Sequence, residues 1–177
     1  MSSDPRLLGA LTLRLAILLV FSTALMMFVD VPLQGQTSPW GIVSFEFART
    51  PTRALAILLE WKRNAALGHA KLSLIADFLY LIIYGSFFAM LARWVGVRVG
   101  EVTWSRRAAA AAVGAAGFDV LENTALLIEV VRFSSPAPYP QLAFAFATLK
   151  FALLAASAAY SVVGLGALAR RRYRRPL

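Results

Sequence analysis

The sequence predicts an all-α polytopic membrane protein, a four-transmembrane-helix bundle with an extracytoplasmic amphipathic loop helix. Two observations predict it. Of 177 residues, 59% are hydrophobic and only 15% charged, with a mean hydropathy of +0.68. A soluble domain carries about 25% charged residues, so most of this surface must face something other than water. The second observation is four apolar runs, each long enough for the about 20 residues of a bilayer-crossing helix, with polar or basic stretches between them.

The first run, 7–29, holds one charge, Arg14. It is too long for a cleaved signal segment, and Pro32-Leu33-Gln34 offers no small-x-small cleavage pattern, so it reads as a retained span. Arg14 lies toward the inner side, where its long stem lets the charge snorkel to the interface. The second run, 72–94, ends in Trp94, a residue suited to the membrane boundary. The third, 108–131, opens on alanines and contains Asp119, Glu122, Asn123 and Glu129. A central Asp costs roughly 2.5–3.5 kcal/mol on insertion scales, so this span depends on its neighbours. The fourth, 142–168, is interrupted only by Lys150. Gly114, Ala116 and Gly117 in the third span, with Gly164 and Gly166 in the fourth, suit close helix packing.

The outer loop, 30–71, is too long for a simple connection. Thr50 followed by Pro51 is a helix start, a cap and then a first-turn proline. The amphipathic helix that follows is expected to run to about Leu67 and stop at Gly68. Before it lies Trp40 to Ala48, an apolar stretch around the single acid Glu46.

There are 18 Lys+Arg against nine Asp+Glu, a formal charge of +9. The basic residues sit at the ends of the apolar runs, which argues for a bilayer and against nucleic acid as the partner. The tail 169–177 carries Arg170, Arg171, Arg172, Arg174 and Arg175, and such a cluster binds anionic lipids. With four spans, these arginines share a side with Arg6, Arg98, Arg106 and Arg107. Loops richer in Lys and Arg stay cytoplasmic, so both termini are expected inside, in a multi-pass protein of the cytoplasmic (inner) membrane. The outer side carries Arg49, Arg53, Lys62, Arg63, Lys71 and Arg132. No cysteine is present, which excludes a disulfide framework and a thiolate metal site.

The ionisable groups are informative by depth. Asp119, Glu122 and Asn123 are i, i+3 and i+4, so they project from one helix face. At 1.5 Å per residue, Asp119 falls near the midplane, Asp77 about 9 Å and Lys150 about 7 Å to its outer side. Tyr80 lies one turn deeper than Asp77 on nearly the same face, and Tyr84 one turn below that. Ionisable residues at such depth turn inward and pair. They form a candidate ligand-binding cavity of Asp77, Tyr80, Asp119, Glu122, Asn123 and Lys150, with Glu46 folding onto its mouth or standing as an exposed loop acid. The alternative is a structural network in which Lys150 glues the helices. Three intramembrane acids against one lysine leave excess negative charge, which favours a site. Asp77, Asp119 and Glu122 are also candidate ligands for a divalent cation, which takes oxygen donors. Glu129 and Arg132, i and i+3, are expected to pair in the interface, the alternative being that Glu129, two turns from Glu122 on nearly the same face, lines the cavity mouth; His69 reads as a surface histidine.

Three functions fit these residues. One is binding of a cationic or lipid-like ligand in an outward-facing acidic site. A second is a membrane enzyme acting on a lipid by carboxylate acid/base or metal-assisted chemistry. The third is a structural or partner-binding subunit. A lone secondary transporter is disfavoured, because alternating access uses repeats and none is visible; a homo-oligomer would supply them.

Gly41-Ile42-Val43-Ser44-Phe45-Glu46, Asp77-Phe78-Leu79-Tyr80 and Phe118-Asp119-Val120-Leu121-Glu122-Asn123 resemble the motif series of a group of uncharacterised bacterial four-helix integral membrane proteins. The resemblance spans roughly residues 7–165. It implies a fold and a candidate site rather than a reaction, and it joins Glu46, Asp77, Asp119, Glu122 and Asn123 into one constellation. Lys150 stands outside the series.

Overall fold

A computed structural model describes residues 4–173, so Arg174 and Arg175 of the basic tail lie outside the described residues. The chain is helical, with no strand among the described residues, and four of its helices are long and apolar enough to cross a membrane. The four-span expectation therefore holds.

Helix α1, Pro5–Asp30, begins at Asp4, whose carboxylate accepts the Arg6 N–H at 2.8 Å. A short 3₁₀ turn, Val31–Leu33, leads to α2, Ile42–Glu46, and α3, Pro51–Arg63. The long helices α4, Leu67–Val99, α5, Val102–Arg132, and α6, Tyr139–Tyr173, complete the bundle. The chain between α4 and α5 is only Gly100 and Glu101, with Gly100 left-handed at φ +89°. The stretch 95–107 between the second and third apolar runs is thus mostly helix, turning only at Gly100 and Glu101.

The start of α3 follows the sequence, since Thr50 Oγ1 accepts the Arg53 N–H at 3.3 Å. Its end does not. The helix stops at Arg63, Ala65 takes a left-handed turn at φ +55°, and Gly68 lies inside α4. A helical glycine costs about 1 kcal/mol, too little to stop a helix whose N-cap Ala66 and first-turn Ala70 are buried.

α5 packs along both α4 and α6, while α1 lies against α4 and barely touches α6. The most apolar stretch of α1 is not buried against protein, so Leu13, Val20, Phe21 and Phe28 face outward, as lipid-facing residues do. Gly164 fits against Val95, where a Cβ would collide, whereas Gly117 and Gly166 face open space and contribute no close packing.

The main core lies at the loop end, where Leu33, Phe45, Ile57, Leu58 and Trp61 pack on Leu74, Leu126, Val130 and Ala143. Trp61 Nε1 donates to the Leu33 carbonyl at 2.8 Å and to Ser38 Oγ at 3.2 Å. Its ring meets Phe45 edge-on at 5.2 Å. The loop is therefore a packed cap over one end of the bundle. Glu60 secures its rim by accepting the Gln36 and Thr37 N–H groups, each at 2.8 Å, and the Thr37 hydroxyl. The Thr37 hydroxyl in particular holds the Glu60 carboxyl below its ordinary value.

Candidate functional site

Each helix brings its polar residues inward by simple periodicity. On α5, Asp119, Glu122 and Asn123 share the buried face, at 2%, 0% and 1% exposure. Lys150 of α6 is also buried and meets them: its Nζ lies 3.0 Å from Asp119 Oδ1 and 2.8 Å from Glu122 Oε2. Glu46 joins from above, 3.5 Å from the same ammonium. Of the two readings of Glu46, the structure has the one in which it folds down, and only 6% of it remains exposed.

Gly41 makes that fold possible. Its φ of +55° and ψ of −127° are open essentially to glycine alone. A Cβ there would strike the Asp30 carboxylate, whose Oδ1 accepts the Ile42 N–H at 2.8 Å. The end of α1 thereby holds the first turn of α2, and α2 delivers Glu46.

The second half of the site lies on α4. Asn123 Nδ2 donates to Asp77 Oδ2 at 2.5 Å, and Tyr84 donates to Asp119 Oδ2 at 2.7 Å. Tyr80 and Thr23 of α1 are joined by a 3.0 Å hydroxyl contact. All seven residues singled out from the sequence, Glu46, Asp77, Tyr80, Asp119, Glu122, Asn123 and Lys150, fall in this one region. Asp77 keeps to the side, held by Asn123, while Glu46, Asp119 and Glu122 take the lysine.

A cavity of about 440 Å³ adjoins the network, within the 300–1,000 Å³ of ordinary ligand pockets. Glu46, Asp77, Tyr80, Asp119 and Lys150 line it, together with Asp30, Ser73, Thr23 and Tyr84. Ser73 is buried at 1% exposure, and its Oγ has no hydrogen-bond partner. Ser73, Asp77, Tyr80 and Tyr84 stand at i, i+4, i+7 and i+11, so one helix face carries them all. That spacing is the signal by which Ser73 was findable. Asp30 and Thr23, seven residues apart, share a face of α1 in the same way.

Four carboxyls, Asp30, Glu46, Asp77 and Asp119, line the cavity against the single ammonium of Lys150, with Glu122 behind. The arrangement suits a cation or a hydrogen-bond donor. It does not suit a divalent metal on Asp77, Asp119 and Glu122: among the described residues no three His, Cys, Asp or Glu side chains are placed to hold one ion. The Lys150 ammonium already occupies the point where three carboxylates converge.

Two expectations fall outside the cavity. Glu129 makes no ion pair with Arg132; it is fully buried beside Ser135, while Arg132 is exposed. The left-handed turn at Phe133, φ +49°, folds the following loop back over the end of α5, which encloses Glu129. His69 is exposed, as expected, and Arg14 is exposed as well.

No protein-family model, curated protein or solved structure matches the chain.

Proposed function

We propose that this is a small integral membrane protein whose acidic intramembrane cavity binds a cationic or lipid-like ligand. The observation that carries the reading is Asp77 beside Ser73 on the wall of a 440 Å³ cavity, the first without a lysine and the second without any partner. A carboxylate paired only with an amide, and a hydroxyl with no partner, call at membrane depth for a polar occupant. By the excess of arginine at the end carrying the termini, that end is cytoplasmic and the capped end with its cavity faces outward. The arginine tail then lies at the anionic inner leaflet.

The structural reading applies to part of the constellation. Lys150 ties α6 to α5 and to α2 through three carboxylates, which is a helix-joining role. Asp77 and Ser73 are left for a ligand.

The test is equilibrium dialysis of tetraphenylphosphonium against the purified protein in nanodiscs. Saturable binding is expected, weakened at least tenfold by Asp77→Asn. If wild type and variant bind equally, or neither binds, the reading is overturned.

A further inference from the structure

Most of the cavity's carboxyls lie toward the cap, and its innermost lining is apolar. On α4 the lining runs from Ser73 and Asp77 near the cap to Tyr84 and Phe88 in the interior. Fifteen residues separate Ser73 from Phe88, about 22 Å at the helical rise. On α1 it runs from Asp30 down to Leu19, and on α6 from Lys150 down to Leu154. Three of the four lining carboxyls, Asp30, Glu46 and Asp77, therefore lie toward the cap, Asp119 lies deeper beside Tyr84, and Leu19, Phe88 and Leu154 lie at the inner end.

The cavity also opens sideways. α1 lies on α4 and barely touches α6, and residues of both α1 and α6 line the cavity. Two residues that line the cavity from these helices are also well exposed: Met27 of α1 is 67% exposed and Phe151 of α6 is 42% exposed. In a membrane, that exposure is to lipid.

From this geometry we infer that the ligand is a long-chain ammonium amphiphile that enters from the surrounding leaflet between α1 and α6, its head beside Asp77 and Ser73 and its chain toward Leu19, Phe88 and Leu154. The inference rests on the binding reading above and narrows it to a substrate class and a route. An anionic head is disfavoured by charge, since the lining cation Lys150 already faces three carboxylates. A cationic head meets carboxylate at Asp77 and aromatic rings at Tyr80 and Tyr84, which stand edge to face at 5.6 Å; ring faces beside a carboxylate favour ammonium groups. A soluble ammonium ion would leave the apolar half of the cavity unused.

The experiment uses the full chain in nanodiscs with a dodecylamine carrying a photoreactive diazirine at mid-chain. Expected is saturable labelling of α1 and α6 at Leu19, Met26 or Leu154, reduced at least tenfold in Asp77→Asn and unaffected by a hundredfold excess of tetramethylammonium. The chain has no cysteine, so Met27→Cys with Phe151→Cys can be bridged by a flexible bis-thiosulfonate; bridging is expected to slow labelling at least fivefold relative to the unbridged pair. If tetraphenylphosphonium binds but the amine fails to label the groove saturably, or tetramethylammonium displaces it, the amphiphile is wrong while cation binding stands. If bridging leaves the labelling rate unchanged, the lateral route is wrong. If neither cation nor amine binds, the inference falls together with the binding reading.

Discussion

Lys150 Nζ lies 3.0 Å from Asp119 Oδ1, across thirty-one residues of sequence and between two different spans. The same ammonium reaches Glu122 of α5 and Glu46 of α2. One side chain thus fixes the register of α6 against α5 and closes the cap onto both.

Lys150→Met is accordingly expected to destabilise the protein by about 3–5 kcal/mol, the cost of removing one partner from a buried ion pair. Urea unfolding in detergent measures it. A cost below about 1 kcal/mol, the scale of exposed pairs, would show that the ammonium is not needed there.

Gly41→Ala is expected to cost about 1–3 kcal/mol, because an L side chain must adopt a glycine-only backbone conformation and meets the Asp30 carboxylate. Limited proteolysis is expected to cut the 34–48 segment faster in the variant, since α2 loses its first-turn anchor. A variant as resistant as wild type would remove Gly41 from the account of how Glu46 is delivered.

For Trp61, packing and hydrogen bonding separate by magnitude. Trp61→Phe removes the indole N–H, but Ser38 Oγ still donates to the Leu33 carbonyl at 2.7 Å, so the loss is about 1 kcal/mol. Trp61→Ala empties the centre of the cap core and is expected to cost about 3–5 kcal/mol. Thermal unfolding of the pair should rank them in that order.

At the rim of the cap, the Thr37 hydroxyl first, and then the Thr37 and Gln36 amides, hold the Glu60 carboxyl below its ordinary value. A carboxyl with a depressed folded-state value stabilises fully above its unfolded value and loses that contribution as pH falls through the folded one. Hydrogen exchange at Gln36 and Thr37 is therefore expected to quicken, beyond its intrinsic pH dependence, on acidification below the ordinary glutamate range. Glu60→Gln should remove that pH dependence. Glu60 is exposed to solvent screening, so the global stability is expected to change little.

Much of the fold was legible because hydrocarbon is an unforgiving solvent. Four apolar runs of spanning length admit no other arrangement of their backbone polar groups than helices, and the structure has those helices. The common face of Asp119, Glu122 and Asn123 was equally legible, since helical periodicity alone places i, i+3 and i+4 together. Thr50 and Pro51 started α3 as their local chemistry requires.

What failed was decided by contacts distant in sequence. Gly68 was expected to stop α3, yet burial of Ala66 and Ala70 against the bundle outweighs a glycine's small helical cost, and the turn fell at Ala65 instead. Glu129 stood at pairing distance from Arg132 in sequence, but the loop after Phe133 folded over it. Glu46 was balanced between solvent and cavity until Asp30 held the start of α2.

The sequence by itself determined that this chain has four helices long and apolar enough to cross a membrane and that its acids turn inward, because both follow from the free energy of single residues and single helices in hydrocarbon. Only the tertiary structure decided which carboxylates the lysine takes, that Asp77 and Ser73 are left facing a cavity, and that α1 stands apart from α6. Those outcomes depend on rotations and separations of whole helices, which are set by packing between residues that no local pattern brings together.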